Sequence, residues 1–203
     1  MSEQEVVEDG GTDVIKAAQR NIVSVYVNDF SEESYKSFRS GLLSAETTGQ
    51  TIIPVIIDSY GGCVDTLFAM LDLMQSAKLP VATIGTGKAM SCASVLVSAG
   101  TKGMRYMSPL GRVMIHEVSG IALGKNGEIK AYAKETDRLN DVLFDILDSN
   151  CDKPVGYWKS HMKESKNADL YITAEKAKEH GLVDVVGTPR IVADVKVKTK
   201  LVV

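Results

Sequence analysis

The chain has 203 residues, of which 44% are hydrophobic and 24% are charged, and its formal net charge is -3. This composition is typical of a globular protein with a single domain, and it excludes a collagen-like, low-complexity or wholly disordered chain. A protein that coats nucleic acid needs an excess of lysine and arginine to bind the phosphates, and the negative net charge argues against this class of protein. The longest uncharged run, Ala89 to Thr101, is too short to span a bilayer, and we expect no membrane association.

The first half of the chain alternates strand and helix patterns. An apolar, β-branched run that begins a strand is followed each time by a polar or amphipathic stretch with helical spacing. The predicted elements are a strand at Ile22–Val27, a helix from Ser31 to about Leu43, a strand at Thr51–Asp58, a helix at Val64–Ser76 and a strand at Pro80–Ile84. Gly85-Thr86-Gly87 is expected to end this last strand, before a segment of small residues.

The second half continues the alternation but contains a longer helical pattern. The predicted elements are a strand at Val113–Ile115, a helix at Glu128–Asn150, a polar helix carrying Trp158, a helix from Thr173 to Gly181, a strand at Leu182–Val186 and an edge strand at Ile191–Val197. Strands separated by helices indicate an α/β fold with crossover connections. The region from about 125 to 167 is more helical and more charged than the rest, and we expect it to project.

Cysteine and histidine usage limits the chemistry. Cys63, Cys92 and Cys151 are too few for a disulfide framework, which together with an acidic start predicts a cytoplasmic protein with a flexible segment at 1–20. The histidines show no metal-ligand spacing, and the chain contains no phosphate-binding loop, so we expect no metal and no cofactor.

Two glycine-containing segments are candidates for a site. Asp58-Ser59-Tyr60-Gly61-Gly62 follows a buried strand, where paired glycines allow close backbone approach to a ligand. Gly87 to Ser94 opens a helix with small residues, and a serine there lies near the unpaired N–H groups at the positive end of the helix dipole. Spacing alone does not decide between Ser91 and Ser94 as a nucleophile. Cys92 is a third candidate, although the role of a buried small hydrophobic residue suits it better, and the commonest role of a serine at the Ser91 position is a simple N-cap.

One histidine has a setting that suits a general base. His116 ends the apolar run Val113–Ile115, at the kind of position where sites form, although a hydrogen-bonded core histidine remains the alternative. His161 lies on a charged helical face. His180 precedes Gly181 at a helix end, where the dipole favours a cation.

Taken together, four segments resemble the ClpP serine peptidases in the same order along the chain. They are DSYGG, GKAMSCAS, RVMIHE and DLYITAEKAKEHGLVD, with Gly61 standing 30 residues before Ser91 and His116 standing 25 after it. The resemblance covers roughly Ile22 to Val186. It implies the ClpP/crotonase-like fold of repeated β-β-α units with a projecting helical handle, in a single domain over 1–203.

The resemblance also implies the roles of individual residues. Ser91 resembles the family's nucleophile, His116 its general base and Asp169 the carboxylate that orients the imidazole. The backbone N–H groups of Gly62 and Cys92 correspond to the oxyanion hole. These residues imply a serine endopeptidase that cleaves unfolded proteins and peptides.

Family membership implies partners as well. Subunits of this type form heptameric rings that stack into a tetradecameric chamber, and an AAA+ unfoldase of the ClpX, ClpA or ClpC type delivers unfolded protein.

The sequence departs from the family pattern at several positions. Tyr60 stands where the family has proline in S-P-G-G, and Cys92 stands where methionine follows the nucleophile. The segment before Ile22 does not match the N-terminal axial loop of the family well. Three alternatives stay open: a non-catalytic ring paralogue, a phage head-maturation protease working without an ATPase, and an acyl-CoA enzyme of the crotonase type.

Overall fold

The structure is a computed structural model that describes residues 22–166 and 168–192. These residues form seven strands and six helices, which alternate along most of the chain. The strands are β1 (Val25–Val27), β2 (Ile53–Ser59), β3 (Val81–Met90), β4 (Arg105–Met107), β5 (Arg112–Ile115), β6 (Leu170–Thr173) and β7 (Val185–Val186). The helices are α1 (Glu32–Ala45), α2 (Val64–Ser76), α3 (Cys92–Ser98), α4 (Asn126–Asn150), α5 (Tyr157–Glu164) and α6 (Ala174–Glu179).

All seven strands belong to one sheet, and β3 is its longest member. The order β1-β2-β3-β4-β7 is parallel throughout. The second half of β3 leaves β4 and pairs with β5, which carries β6 as an antiparallel neighbour. The parallel strands therefore end at the same side of the sheet, where ligand sites commonly form in α/β folds.

The apolar character of β2 explains its central place. Its backbone is buried almost throughout, as expected for a parallel strand that helices cover. Pro54 lies within it without cost to the ladder. The Ile53 N–H donates to the carbonyl of Pro80, which leads into β3. Because successive N–H groups of a strand point to opposite sides, the nitrogen of Pro54 faces β1, and β1 pairs with β2 only from Val55 onwards.

The predicted end of the third strand at Ile84 is wrong. β3 runs through Gly85-Thr86-Gly87 to Met90, with a register shift against β2 between Ile57 and Ser59. Gly85 is needed because a Cβ there would collide with the sulfur of Met107 on β4. The glycines therefore relieve crowding inside a continuing strand rather than ending it.

Other boundaries also differ from the prediction. The sequence does not predict β4 and β6. β4 is a short strand flanked by turns, and β6 is a short strand that is only half buried. The strand predicted at Ile22–Val27 is paired only over Val25–Val27, and the last core strand only over Val185–Val186. The predicted edge strand shows no strand at 191–192, and 193–197 lie outside the described residues, as does the predicted flexible segment 1–20.

The longest helix projects, as the sequence predicts. α4 has 25 residues and is thus about 37 Å long at 1.5 Å per residue. Its first half is exposed, and buried side chains occur only near its end, at Phe144, Leu147 and Asp148. Among the helices of the described ranges, none is long and apolar enough to cross a bilayer.

Candidate active site

Ser91 occupies a sharp junction between β3 and α3. Its backbone has φ 54° and ψ -124°, a conformation that non-glycine residues rarely adopt. The Ser91 N–H donates to the carbonyl of Met114 on β5 at 2.8 Å, which fixes the junction against the neighbouring strand. Within residues 22–166 and 168–192, the hydroxyl makes no capping bond to α3, so the N-cap role does not explain the serine.

His116 directly follows β5 and meets the Ser91 side chain. Its Nε2 lies 2.7 Å from Ser91 Oγ, the distance of a good hydrogen bond. β5 pairs in parallel with the end of β3, with Met114 opposite Met90, and this pairing brings the residues that follow both strands together. A hydroxyl in contact with an imidazole is the arrangement in which the hydroxyl can lose its proton as it attacks.

Asp169 lies on the far side of the imidazole. Its Oδ1 is 3.7 Å from His116 Nδ1, close enough for an ion pair but longer than a hydrogen bond. The Asp169 side chain is 50% exposed, and the Tyr171 hydroxyl donates to its Oδ2 at 3.4 Å. Catalytic hydrogen bonds are often long without substrate. The three residues that the resemblance names thus lie in one row, with one close contact and one loose one.

The geometry distinguishes the three nucleophile candidates. Ser94 is fully buried, and its hydroxyl donates to the Ser91 carbonyl at 2.6 Å, inside the first turn of α3. Cys92 is buried as well, and its Sγ donates to the Gly62 carbonyl at 3.2 Å. Burial raises the pKa of the Cys92 thiol, which favours the unreactive protonated form. Of the three side chains, Ser91 is the one in contact with His116.

The paired glycines approach the Ser91 junction closely. Gly61 has φ +102°, and a Cβ on it would lie 2.7 Å from Ser91 Cβ. Gly62 has φ +151° and is bridged to Phe30, whose carbonyl accepts from the Cys63 N–H at 2.9 Å. The turn therefore packs its backbone against Ser91, and Cys92 opens the first turn of α3, where the N–H groups have no partner within the helix.

A small pocket lined by both polar and apolar side chains adjoins Ser91 and His116. α4 supplies one wall, and Asn140 Oδ1 there accepts from the Val118 N–H at 2.6 Å, so the segment after His116 is tied to this helix. The apolar side chains that line the pocket are Val64, Val95, Ile115, Val118, Leu143, Phe144 and Leu147. Sequence reasoning missed the α4 contribution, although the apolar spacing at the end of that helix was the signal for it.

The remaining histidines form a separate aromatic cluster. His180 Nδ1 lies 2.7 Å from the Tyr157 hydroxyl, and the His161 and His180 rings are 5.2 Å apart. Burial lowers the pKa of His180, and the nearby charges of His161, Lys153 and Lys176 act in the same direction. Burial and neighbouring positive charge thus act at His180 against the cation that the end of the helix favours.

Comparison with known proteins agrees with this arrangement. The family model described as Clp protease matches residues 8–190. The chain is 39% identical over 139 residues to the ATP-dependent Clp protease proteolytic subunit 1 of Rhodopirellula baltica, which covers 68% of this chain and 60% of that protein. It is 38% identical over 132 residues to the ATP-dependent Clp protease proteolytic subunit of Porphyromonas gingivalis, which covers 65% and 58%.

The match extends over most of this sequence, although the chain aligns with only about three fifths of the length of these relatives. The matched range contains all the segments that resemble ClpP peptidases, from the glycine turn to the strand after α6. The parallel sheet with crossover helices and a long projecting helix is the fold that the resemblance implies. The chain belongs to the Clp protease family.

Proposed function

We propose that this chain is a serine endopeptidase subunit in which Ser91 is the nucleophile, His116 the general base and Asp169 the orienting carboxylate. The observation that carries the proposal is the 2.7 Å contact between Ser91 Oγ and His116 Nε2. It occurs at a strained junction, and such strain is characteristic of functional residues. The names of the relatives, both proteolytic subunits, support peptide-bond hydrolysis as the reaction.

The proposed reaction proceeds in two halves. Ser91 Oγ attacks the peptide carbonyl while His116 Nε2 takes the hydroxyl proton, and the oxygen of the tetrahedral intermediate accepts hydrogen bonds from the N–H groups of Gly62 and Cys92. His116 then gives its proton to the departing amine, which leaves an acyl ester on Ser91. Water, activated by His116, cleaves the ester and restores the serine hydroxyl.

The pocket beside Ser91 supports a preference for an apolar side chain next to the cleaved bond. Its wall from α4, with Leu143 and Phe144, is apolar, and Asn140 is occupied by its own contact with Val118. Burying an apolar substrate side chain there supplies binding free energy of about 25 cal/mol per Å². A peptide with a charge at that position is expected to be a poor substrate.

We further propose that the chain works as one domain within a ring assembly. The exposed first half of α4 carries Ile129 and Tyr132 on its surface, and a second ring is the partner we propose for it. The relatives' names describe ATP-dependent proteases, which supports an AAA+ unfoldase as the supplier of unfolded protein. Short peptides need no such supply, so peptide hydrolysis is expected without ATP.

The test compares two serines that lie three residues apart. Ser91→Ala is expected to lower hydrolysis of a fluorogenic peptide by at least ~10⁴-fold and to abolish labelling by a fluorophosphonate, because the nucleophile is lost. Ser94→Ala is the matched control, since it removes a buried hydroxyl from the same helix start but leaves the contact with His116. It should still label. Labelling that persists in Ser91→Ala would refute the assignment.

A further inference from the structure

Three side chains join the two segments that meet at the proposed site. The ammonium of Lys88, on β3, lies 2.9 Å from Asp58 Oδ1, at the end of β2. The same ammonium lies 4.6 Å from the centre of the Tyr60 ring, within the range of a cation–π interaction. Lys88 thus holds both the last residues of β2 and the first residue of the glycine turn.

The register shift between β2 and β3 explains why a side chain is needed here. Ile57 pairs with Gly85 but Ser59 pairs with Ala89, so the intervening part of β3 bulges away from β2. The Asp58 carboxylate spans this bulge and accepts from the Lys88 N–H at 3.1 Å. Gly87 leaves the room, because a Cβ on it would lie 2.9 Å from Asp58 Oδ1.

The turn that follows carries the proposed oxyanion donor Gly62, and its first residue is exposed. Tyr60 is 74% exposed, so packing of its ring against the core does not hold it, and two glycines follow it. The Ser59 hydroxyl, which accepts from the Gly61 N–H at 3.0 Å, is one tie within the turn. The ammonium of Lys88 adds a tie between this turn and the strand leading into Ser91, beside the hydrogen bond from Cys92 Sγ to the Gly62 carbonyl.

We propose that Lys88 is a positioning residue for the reaction. It binds Asp58 and the face of Tyr60 at once, and so fixes the turn that aims the Gly62 N–H at the developing oxyanion. This inference rests on the proposed function, because it assigns Lys88 a part in that reaction. Lys88 acts through the turn and does not touch the reacting atoms.

The variants test charge and ring separately. Lys88→Met keeps the length of the side chain and removes the charge. It is expected to lower kcat ~10-fold with KM changed less than ~2-fold, because a displaced oxyanion donor reduces the stabilisation of the transition state more than that of the substrate complex. Lys88→Arg retains a cation that stacks on aromatic rings and should restore most of kcat. Tyr60→Leu should lower kcat in the same way, whereas Tyr60→Phe should not.

Two further measurements separate positioning from loss of stability. A peptide boronic acid forms an adduct with Ser91 in which a tetrahedral boron carries an oxygen in the oxyanion position, and it should bind Lys88→Met more weakly by the same factor as kcat/KM falls. Amide hydrogen exchange over residues 59–63 should be faster in Lys88→Met than in the wild type. The thermal unfolding midpoint of Lys88→Met should match that of Lys78→Met. Lys78→Met is the control, because it removes an exposed lysine that pairs with Glu46, a residue distant from Lys78 in the sequence.

The outcomes distinguish this inference from the proposed function. If the wild type hydrolyses peptide and Lys88→Met keeps its kcat and boronate affinity, the positioning role of Lys88 is refuted while the function stands. If the wild type neither hydrolyses peptide nor labels at Ser91, the proposed function fails, and the positioning role in catalysis fails with it. Unchanged exchange over 59–63 in Lys88→Met refutes the tie itself in either case.

Discussion

At Ser91 the unusual backbone conformation and the hydroxyl contact depend on one another. The positive φ turns the side chain away from the axis of α3 and toward His116, while the bond from the Ser91 N–H to Met114 holds the backbone there. A serine in ordinary N-cap geometry would direct its hydroxyl to the N–H groups of the helix instead. The strain is thus compensated by contacts with β5, the strand that also delivers the imidazole.

Asp169→Asn is the sharpest test of the third position. An amide no longer favours the imidazolium or the required tautomer, so we expect kcat to fall. Loss of a triad aspartate that is buried and hydrogen-bonded costs ~10⁴-fold, and because Asp169 is half exposed and 3.7 Å away we expect a smaller fall, ~10- to 100-fold. The measurement is steady-state hydrolysis of a fluorogenic peptide.

Tyr171→Phe serves as the control for this substitution. It removes the 3.4 Å contact with Asp169 Oδ2 but keeps the carboxylate, so kcat should change less than ~3-fold, as expected for a weak, exposed hydrogen bond. An Asp169→Asn variant with the kcat of the wild type would show that the carboxylate does not orient His116.

The residues of the candidate site differ in how far the sequence predicts them. Local patterns indicate the segments that contain Ser91 and His116, but they do not separate Ser91 from Ser94, and the family resemblance makes that choice. Asp169 follows a turn far along the chain, and only the family resemblance distinguishes it from the other acidic residues. Lys88 and Asp58 carry no local signal of their pairing, because it depends on the register shift between β2 and β3.

At the scale of elements, the glycine turn after β2 and the junction after β3 fit together as one surface. Gly61 packs against Ser91, and Gly62 packs against Phe30, each at a distance that leaves no space for a side chain. A strand-to-helix connection with ordinary residues would push α2 away from α3. Glycine at both positions is therefore a condition for the close packing of this turn against Ser91 and Phe30.

Gly61→Ala tests this close approach. The new Cβ would meet Ser91 Cβ at 2.7 Å and the Met90 carbonyl at 2.9 Å, so we expect peptide hydrolysis to fall by at least ~100-fold, as when an oxyanion donor is removed. Gly49→Ala is the matched control, because Gly49 also has a positive φ, +82°, while among the described residues no atom lies within 4 Å of the added Cβ.

Both variants carry the backbone strain, which costs ~1–2 kcal/mol of stability for a residue forced into this region. Only Gly61→Ala carries the collision at the site. Equal activities of the two variants, measured on folded protein, would show that the contact between Gly61 and Ser91 is unimportant for the reaction.

Glycine is also the reason why element boundaries were partly mispredicted. In β3, Gly85 and Gly87 resemble a strand end, but the structure uses them to admit Met107 and the Asp58 carboxylate beside a continuing strand. Whether a glycine ends a strand or makes room within it depends on the neighbouring strand. The helices α2 and α4, which have long periodic patterns, were predicted nearly at their observed bounds.

At the scale of the whole molecule, Arg105 connects the sheet to the ends of three helices. Its guanidinium pairs with Asp184 and donates to the carbonyls of Ser98, Asn150 and Gly181, at 3.2, 2.8 and 2.9 Å. These carbonyls lie at the ends of α3, α4 and α6, where helices leave acceptors without an internal partner. A single buried cation thus satisfies acceptors from widely separated parts of the chain.

Arg105→Met should destabilise the fold strongly. It removes the guanidinium from the Ser98 and Gly181 carbonyls and leaves the Asp184 carboxylate with backbone N–H donors alone, and breaking a buried pair in this way costs ~3–5 kcal/mol of the free energy of unfolding. Urea unfolding at fixed subunit concentration is the measurement. Arg138→Met is the control, because it removes an exposed pair with Glu135 on α4, and its midpoint should match that of the wild type.

The same clamp predicts how stability responds to acid. Burial acts to raise the pKa of Asp184, but the hydrogen bonds from the side chain and backbone of Arg105 outweigh it and hold the pKa below its ordinary value. A carboxylate with a lowered folded-state pKa stabilises the protein above the unfolded-state pKa, about 3.9, and this contribution is lost as the pH falls below it. The stability advantage of the wild type over Asp184→Asn should therefore be full at pH 7 and shrink below about pH 4. The check is the difference in urea midpoint between the two proteins at several pH values. A difference that stays constant from pH 7 to pH 3 would show that the ionised Asp184 carboxylate does not stabilise this fold.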